Sequence, residues 1–531
     1  LPTMATSDDL HARSTAILER VGEPGDVRLI HGLAHLRRDK TERGLESDDE
    51  AGEADAWNRE TRRAMLVPYG VGTIDQILLG AMHVKFGFLR LSGLAGRALV
   101  VDEVHAYDAY MTAILARALR WLSVMGVPVI LLSATLTRDQ RAALFEAYGA
   151  KDGGEEAYPL VSFTGNDGVV HRSVPAASSR TVVLTPARID PTDPAAIAAE
   201  ARKRFEKGHV LAVIVNTVAM AQRVYDELAD RPRILLHARF TADDRERLSR
   251  ELKSLVGLHG TRPAGGMIVI GTQVLEQSLD VDFDAMISEI APMDLLLQRA
   301  GRLHRHRDRG VEPELVVLVP DGSSWGATGY VYEAFPLLRT VGTIGEGRTV
   351  RVPDEVREVV ESAYGTADLP FLAGREAELA EARKRWNDRT HTLDGKAQET
   401  VLKSPRPDLF RPLYRKERVP DVTDDDGRGP RLKTRIGIDE VRVLFVGERE
   451  IDGLTPGRVP RTAAMDAFRR SVKLPKWLVG GEGRDAERLL RGLRLIVSPR
   501  PGEMVWSVTR GDVVWSLRYD RERGLTRQRQ R

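Results

Sequence analysis

The sequence contains no cysteine among its 531 residues. This absence excludes disulfides, thiolate metal sites and cysteine nucleophiles, and it fits a reducing compartment. No apolar run reaches the roughly 18 residues that cross a bilayer, and the first residues lack the basic-then-apolar pattern of a secretion signal. We therefore expect a cytoplasmic chain with no membrane association.

Net charge is also nearly absent. The formal charge is +2, although 29% of the residues are charged, and 42% are hydrophobic, as is usual for globular proteins. Any nucleic-acid surface must therefore be a local groove and not a field that covers the whole molecule. The length is too great for one hydrophobic core, and it predicts roughly three to four domains.

A phosphate loop of the form G-x-x-x-x-G-K-[ST] is missing as well. The nearest stretch is "GTIGEGRT", residues 342–349, which has arginine in place of lysine and is followed by "RTVRV", an extended pattern where a helix should begin. His31 and His35 lie one helical turn apart, but they lack the glutamate of an H-E-x-x-H zinc site. Because the first residue is Leu1 and not methionine, we expect a fragment or one half of a split protein.

Two stretches alternate helical periodicity with short, continuous apolar runs. In residues 1–150, "ALVV" and "VPVILLSAT" predict buried strands on either side of the helix "AYMTAILARALRWLSVMG". In residues 180–335, strands are predicted at "HVLAVIVNT", "GGMIVIGT", "DAMISEI" and "ELVVLVP". This alternation predicts parallel sheets covered on both faces, and such sheets bind ligands at the carboxyl ends of their strands.

The remaining chain has a different character. Residues 336–400 are charged and helical in pattern, which predicts a long connecting helix, and an acidic stretch at residues 38–58 predicts a solvated loop. Residues 401–531 combine strands such as "EVRVLFV" with the basic segment "FRRSVKLPKWLV". We expect these last residues to form a separate C-terminal module.

The stretch "ALVVDEVHAYD", residues 98–108, joins a predicted strand to Asp102, Glu103 and His105. An aspartate at a strand end can hold Mg²⁺, which keeps several waters and takes one or two carboxylates together with substrate phosphates. A second carboxylate beside it can orient or deprotonate an attacking water. Taken alone, the same pattern would also describe a salt-bridged surface turn.

Polar residues follow other predicted strands. "LLSAT" places Ser133 and Thr135 after the next strand, "VGTIDQ" offers Thr73 to a phosphate, and "GTQVLEQSLDVDFD" carries hydroxyl, amide and carboxylate groups over residues 271–284. Small hydroxyl groups at such positions could relay a change at a nucleotide site to a partner domain.

The segment "QRAGRLHRHRDRG" spaces Gln298, Arg302 and Arg305 at i, i+4 and i+7, which predicts one helix face. Two guanidinium groups on one face suit the charge that develops on a transferring γ-phosphoryl group. Gly301 would lie inside this helix, where glycine costs about 1 kcal/mol, so we predict a close backbone approach there.

These motifs, in this order, resemble the later motifs of superfamily 2 DExH helicases. "LPTMAT", "VGTIDQILL", "DEVHAYDAYM", "GTQVLEQSLDVDFD" and "QRAGRLHRH" are more narrowly similar to the CRISPR-associated helicase-nuclease of type I systems, and "TRIGIDEVRVLFV" and "RRSVKLPKWLV" resemble its C-terminal domain more loosely. The resemblance implies an α/β fold with two tandem RecA-like lobes, the first truncated at its N terminus. A helical linker and a mixed α+β C-terminal domain would follow.

The resemblance also implies roles for individual residues. Asp102 would hold Mg²⁺, Glu103 would be the catalytic base, and His105 would couple the nucleotide to the second lobe. Hydroxyl groups would link ATP turnover to movement (Ser133, Thr135) or lie along the DNA backbone (Thr3, Thr6, Thr73). Second-lobe residues would meet nucleotide or DNA (Gly271, Thr272, Asp280) or close on the phosphates (Gln298, Arg302, Arg305).

By the same resemblance, the chain would be an ATP-dependent single-stranded DNA translocase moving 3′ to 5′. ATP·Mg²⁺ would bind in a cleft between the lobes, and an RNA-guided surveillance complex would recruit the enzyme to degrade foreign DNA. In the family a phosphate loop and a metal-dependent nuclease domain lie upstream, so we expect an upstream polypeptide to supply them. The isolated chain should then turn over ATP poorly.

Two alternatives remain open on the sequence. The motifs also fit a DExH helicase that acts on RNA, since nothing in them reads a 2′-hydroxyl. The missing phosphate loop would also fit a non-enzymatic, truncated remnant that binds nucleic acid or a protein partner. Retention of both carboxylates and both arginines counts against the remnant.

Overall fold

A computed structural model describes residues 4–22, 27–30, 64–84, 87–154, 157–165, 168–176, 179–206, 208–276, 279–307, 309–322, 324–405, 433–436, 440–446, 461–479, 484–486, 493–497, 505–510 and 513–530. The chain divides into two compact units. Unit 1 comprises Leu1–Pro175 and Arg383–Ile436, and unit 2 comprises Ala176–Ala382 and Gly437–Arg531. No helix in the described ranges is long and apolar enough to cross a membrane.

Unit 1 contains short parallel strand pairs between helices. Its elements are α1 (Met4–Val21), β1 (Val27–Ile30), β2 (Tyr69–Gly72), α2 (Asp75–Gly80), α3 (Gly87–Ser92), β3 (Leu99–Val101), α4 (Ala109–Val124), β4 (Val129–Leu131), α5 (Arg138–Tyr148), β5 (Leu160–Gly165) and β6 (Gly168–Ser173). Strand β1 pairs with β2 and β3 pairs with β4, both in parallel, while β5 and β6 form an antiparallel hairpin. The helix and the two strands predicted at "ALVV" and "VPVILLSAT" are present, but the burial predicted for these strands is wrong, since Val100 and Ile130 are 55% and 50% exposed.

Helix α4 organises the core of unit 1. It begins at Asp108, whose carboxylate accepts the main-chain N–H of Met111 at 2.8 Å, a standard N-cap. Ile114, Leu115 and Leu122 on its inner face are fully buried. Strands β3 and β4 run parallel beside this core, so their carboxyl ends, and the polar residues that follow them, lie at the same edge.

Unit 2 is built on a seven-stranded sheet. Its elements before the C-terminal module are β7 (Arg180–Arg188), α6 (Pro194–Arg204), β8 (Val210–Ile214), α7 (Val218–Glu227), β9 (Arg233–Leu236), α8 (Ala242–Val256), β10 (Met267–Gly271), β11 (Ala285–Glu289), α9 (Met293–Ala300), β12 (Glu314–Val319), α10 (Ala334–Ile344), β13 (Arg348–Val352) and α11 (Val356–Tyr364). The strand order is β13-β7-β12-β11-β8-β10-β9, and every pairing is parallel except β13 with β7. The α/β class and parallel sheet are therefore confirmed.

The middle of this sheet is buried on both faces. Every residue of β8 and β10 is buried, as expected for parallel strands covered by helices. The order of strands reverses around β8, which lies between β10 and β11. The residues after β8, β10 and β11 thus meet at one edge, where open parallel sheets bind ligands.

The segment 336–400 differs from the single connecting helix that its charge pattern predicted. A continuous helix, α12, covers only Glu376–Thr400, and β13 adds an antiparallel edge strand to the sheet of unit 2. The alternating "RTVRV" pattern is that of a half-exposed strand, and Val350 is fully buried in it. The extended structure expected after "GTIGEGRT" is confirmed, and it argues against a phosphate loop there.

The C-terminal module contains β14 (Glu440–Val446), α13 (Arg461–Arg470), β15 (Val472–Pro475), α14 (Lys476–Val479), β16 (Arg484–Asp485), β17 (Leu493–Val497), β18 (Val505–Arg510), β19 (Val513–Asp520) and β20 (Gly524–Gln530). The strands form one sheet in the order β15-β14-β17-β16 and another in the order β18-β19-β20. Val443, Leu474 and Leu517 belong to one apolar cluster, so both sheets share a core.

The contacts divide the chain differently from the expected four parts. Residues 336–382 and 437–531 belong with the second sheet, whereas 383–436 belong with unit 1. Within unit 1, Ala397 and Val401 pack in the same core as α4. The acidic stretch at residues 38–58 and the histidines His31 and His35 lie outside the described residues.

Candidate functional site

The turn that follows β3 carries the first predicted group of site residues. The main-chain N–H of Glu103 donates to the Asp102 carboxylate at 3.0 Å, and Glu103 has a left-handed backbone with φ 55° and ψ 45°. Such a conformation is uncommon outside glycine and is concentrated at functional positions. The N–H of Val104 donates to the carbonyl of Leu132 after β4, which ties this turn to the next one.

His105 joins two motifs that are 28 residues apart. Its imidazole is 2% exposed, with Nδ1 2.9 Å from Ser133 Oγ and Nε2 3.3 Å from Glu103 Oε2. A proton on Nε2 fits both contacts, because Nδ1 can then accept from the serine hydroxyl. Thr135 donates its N–H to Ser133 Oγ at 3.4 Å. A polar chain therefore runs from the "SAT" turn to the Glu103 carboxylate, which is 46% exposed.

The predicted threonines are mostly buried. Thr135 is 6% exposed, and its hydroxyl has no hydrogen-bond partner within the described part of the chain. Thr73 follows β2, is 8% exposed and donates its N–H to the Ile30 carbonyl at 3.2 Å. Thr3 lies outside the described residues, and only the backbone of Thr6, in α1, is described.

Asp102 has the chemistry that Mg²⁺ requires from a protein. Its carboxylate stands at a strand end, half-buried, with one oxygen already held by a main-chain N–H. No cluster of three or more His, Cys, Asp or Glu side chains that could hold a metal occurs in the described ranges. A single carboxylate completed by phosphates and water suits Mg²⁺, so the residue fits the ion.

The single helix face predicted for Gln298, Arg302 and Arg305 is wrong. Helix α9 ends at Ala300, Gly301 is its C-cap, and the chain then turns through His304 with φ 46°. A Cβ at Gly301 would come within 3.0 Å of the Gln298 carbonyl, so the close backbone approach is to the preceding helical turn. The i, i+4 spacing failed because the helix is too short to contain both arginines.

Both predicted arginines contact the strand-end loop after β10. Arg302 donates to the main-chain carbonyl of Glu276 at 2.8 Å. Arg305 forms an ion pair with Asp280 at 2.9 Å, and their side chains are 40% and 53% exposed. The main-chain N–H of Arg305 also donates to Asp282 at 2.7 Å. Loop contacts, and not helical periodicity, thus place Arg305 beside Asp280 and Arg302 beside Glu276.

Gly271 and Thr272 lie at the end of β10. A Cβ at Gly271 would come within 2.6 Å of the Leu236 carbonyl, so strand packing alone requires a glycine at this position. Thr272 is 3% exposed and donates its N–H to the same carbonyl at 3.4 Å. Thr272 is therefore buried, whereas the carboxylate of Asp280 is 53% exposed.

Arg299, between the predicted residues, is the buried centre of the motif. It is 0% exposed and donates to Glu276 at 2.9 Å, to Ser288 Oγ at 2.7 Å and to the Glu289 carbonyl at 3.0 Å. Burial alone would lower its pKa, but the adjacent Glu276 raises the pKa above the ordinary value. The sequence could have indicated this burial, because Arg299 lies three residues after the apolar Leu296 and therefore on the buried side of α9.

The network of Arg299 extends to the other strand ends. Arg299 also donates to Asn216 Oδ1 and to the Tyr332 hydroxyl, both at 3.3 Å. Asn216 follows β8 and donates its N–H to the Glu289 carboxylate at 2.7 Å. The groups after β8, β10 and β11 are therefore held in one hydrogen-bonded assembly at the ligand edge of the sheet.

A parallel sheet with polar groups fixed at its carboxyl edge, together with an acidic strand-end turn in unit 1, defines an α/β protein of RecA-like helicase type. Residues 207–308 match the family of the CRISPR-associated nuclease/helicase Cas3, C-terminal part. The Thermus thermophilus CRISPR-associated endonuclease/helicase Cas3 is 34% identical over 585 residues, covering 93% of this chain and 62% of the relative. The Escherichia coli protein of the same description is 34% identical over 429 residues, covering 73% and 48%.

Solved structures agree with the sequence relatives. The crystal structure of T. fusca Cas3-ADP superposes with a TM-score of 0.82 at 28% identity, covering 99% of this chain and 64% of that one. A chain of a CRISPR RNA-guided surveillance complex, pre-nicking, gives a TM-score of 0.69 at 27% identity, covering 97% and 66%. The chain belongs to the Cas3 helicase-type family of CRISPR-associated proteins. It spans 62% and 48% of the length of the two curated relatives named above.

Proposed function

We propose that this chain is the ATP-dependent single-stranded DNA translocase portion of a Cas3-type helicase-nuclease, which degrades foreign DNA when an RNA-guided surveillance complex recruits it. The observation that carries the proposal is the link between the "DEVH" and "SAT" turns through His105 and Ser133 at 2.9 Å. A solvated surface turn has no need to bury a histidine to 2% exposure between two strand ends.

The nucleotide would be ATP, and T. fusca Cas3 has been solved with ADP, AMPPNP and ATP. Asp102 would hold Mg²⁺, which would neutralise charge on the phosphates. The carboxylate of Glu103, which is 46% exposed directly after the strand, would orient and deprotonate the attacking water. Because His105 contacts both residues, a shift of Glu103 during turnover would move His105 and, through it, Ser133.

Arg302 and Arg305 would stabilise negative charge on the transferring phosphoryl group. Arg302 is anchored by the Glu276 carbonyl, whereas Arg305 must first leave Asp280. Exposed ion pairs contribute only about 0–1 kcal/mol, so a phosphate can displace Asp280 at little cost. Asp280 would then act as the resting partner of Arg305 and not as a nucleotide ligand.

The phosphate loop would come from a polypeptide outside these 531 residues. Val100 of β3 and Ile130 of β4 are 55% and 50% exposed, although parallel strands are normally covered on both faces. We assign the cover of this face to the segment that carries the phosphate loop. Without that loop the β- and γ-phosphates lack their main cradle, so the chain alone should hydrolyse ATP poorly.

Steady-state ATP hydrolysis tests the proposal. The chain is assayed alone and together with a polypeptide that carries a phosphate loop, each with single-stranded DNA, with single-stranded RNA and without nucleic acid. We expect turnover only in the mixture, with stimulation by DNA. Stimulation by RNA alone would support an RNA helicase, no turnover in any mixture would support the non-enzymatic remnant, and robust turnover by the chain alone would contradict the need for the loop.

A further inference from the structure

A group of basic side chains lies where the C-terminal module packs against helix α8 of the same unit. Helix α13 packs on α8, and Arg469 of α13 forms an ion pair with Asp243 at 3.6 Å. Next to this contact lie two groups of neighbouring cations, Arg239 with Arg527 and Arg245 with Arg442 and Lys473, and Glu440 is near both groups. We call these five side chains the cationic face.

The strand pairing places two of these cations directly opposite each other. Arg442 of β14 and Lys473 of β15 are cross-strand partners in the antiparallel ladder. Like charges in this position destabilise a sheet. Glu440 forms an ion pair with Lys473 at 3.5 Å, and its own cross-strand partner is Pro475. Two opposed cations are therefore kept where the fold alone would favour a cation opposite an anion.

Two members of the cationic face, Arg239 and Arg442, lack a matching anion among the described residues. Neither Arg239 nor Arg442 forms an ion pair with a carboxylate among the residues that the structure describes; Arg442 instead stacks over Phe468 at 4.5 Å and donates to Ser471 at 3.3 Å. Burial, together with the nearby Arg245, lowers the pKa of Arg442 to about 10. Burial also lowers the pKa of Arg239. A bound anion would stabilise these cations against both their burial and their mutual repulsion.

Aromatic rings continue the cationic face. Arg527 lies over the ring of Trp477 at 5.5 Å and over that of Trp515 at 5.1 Å. Trp477 is 39% exposed, which is unusual for the largest apolar side chain. Basic groups that track phosphates, next to rings on which bases stack, are the recurring combination of surfaces that bind single strands without sequence preference.

We infer that the cationic face with Trp477 is a binding surface for the phosphate backbone and one base of a single-stranded nucleic acid. The inference rests on the proposed function for its choice of DNA, and it adds a contact outside the strand-end motifs. The basic segment "FRRSVKLPKWLV" supplies Lys473 and Trp477 from consecutive elements, β15 and α14. Nucleic-acid binding would thus account for the strongly basic character of this segment, which sheet formation does not explain.

Equilibrium binding of a labelled oligothymidylate to the full chain, without ATP and over a series of salt concentrations, tests this surface. In the double variant Arg442→Gln/Lys473→Gln, two phosphate contacts are lost, so the slope of log affinity against log salt should become shallower by about 1.4. In Trp477→Ala, affinity should fall about fivefold or more at every salt concentration, because stacking is lost.

The matched control is Arg351→Gln/Lys203→Gln, which removes two cations from unit 2 at positions 63% and 74% exposed. Its salt slope should equal that of the unaltered chain. Equal slopes and affinities for the control and for Arg442→Gln/Lys473→Gln, with both folded by thermal melting, would overturn the inference. Since no ATP is used, this result is independent of hydrolysis: DNA-stimulated turnover with an unchanged slope would reject the cationic face alone.

Discussion

The strand-end turn of unit 1 and the Arg299 network of unit 2 hold charged groups in opposite ways. In the turn, Glu103 is 46% exposed and its backbone is left-handed, while its one imidazole contact is 3.3 Å long. In the network, Arg299 and Glu276 have 0% and 1% of their side-chain surface exposed, and Arg299 bonds to groups from several strand ends. The turn leaves a carboxylate exposed to solvent, whereas the network pairs its charges internally.

The difference shows that one sequence motif can contain both buried residues that stabilise the fold and exposed residues that are open to a ligand. The two arginines of "QRAGR" differ in environment. Arg299 is fully buried and holds the strand-end loop in place, whereas Arg302 is half-buried at the surface of that loop. Changes in the network should therefore appear as lost stability, and changes in the turn as lost turnover. The predictions below separate these two readouts.

The largest effect is expected from Arg299→Met. Removing the guanidinium leaves Glu276 buried without its partner, which costs about 3–5 kcal/mol in comparable buried pairs. Native-state hydrogen exchange of the β11 amides should report that loss as reduced protection. The double variant Arg299→Met/Glu276→Met should recover much of it, since no charge is then left buried.

Arg202→Met is the control for this comparison, because its partner Asp230 is 47% exposed. Its effect should stay within about 1 kcal/mol. If Arg299→Met changed protection no more than Arg202→Met does, the network would not be a structural centre.

A second prediction concerns His237, which is 0% exposed at the end of β9. Its Nδ1 accepts the N–H of Arg239 at 3.2 Å, so Nε2 carries the proton and donates to the Arg523 carbonyl at 3.0 Å. Burial lowers its pKa to about 4 from 6.5. Below pH 6.5 the unfolded chain takes up a proton that the folded chain refuses, so stability falls as pH drops from 6.5 to 4, by about 3 kcal/mol.

Protection of the β9 amides, measured from pH 7 to pH 4.5, checks this dependence. His237→Gln should show a shallower decline than the unaltered chain, since glutamine cannot be protonated in that range. His209→Gln, at a residue 48% exposed, is the control and should decline like the unaltered chain. Parallel profiles for all three would exclude His237 as the source.

The smallest effect is expected from Ser133→Ala. The change removes the hydroxyl that contacts His105, so DNA-stimulated turnover should fall about tenfold, equivalent to about 1.4 kcal/mol, with little change in melting temperature. Ser123→Ala removes a comparable hydroxyl, which donates to the Tyr148 carbonyl at 2.7 Å, and should leave turnover unchanged. Equal turnover in the two variants would mean that His105 does not transmit through Ser133.

Much of the fold could be predicted from local pattern. The run "VLAVI" of β8 is apolar throughout because the strand is buried on both faces, and Asp108 marks the start of α4 by its ability to accept an N–H. The division into units could not be predicted in this way. The assignment of α12 beyond Arg383 to unit 1 depends on contacts such as that of Ala397, which leave no mark in the local sequence.

The site was predictable where its residues follow a strand and not where they follow a short helix. His105 and Ser133 meet because the parallel strands that precede them end at one edge, which is a topological rule. Arg302 and Arg305 were assigned to a helix that ends at Ala300, because spacing does not reveal helix length. The cationic face joins residues more than 200 positions apart in sequence, such as Arg239 and Lys473, so no local pattern could have indicated it.

Single-turnover hydrolysis of ATP by Glu103→Gln, in the mixture that supplies the phosphate loop, is the most direct test of the proposed nucleotide site. We predict that nucleotide binding changes by less than about threefold and that hydrolysis falls by about a hundredfold or more, as expected when a general base is removed. Glu146→Gln on α5 is the control and should hydrolyse ATP like the unaltered chain. Hydrolysis by Glu103→Gln at the unaltered rate would contradict the assignment of the strand-end turn as the catalytic centre.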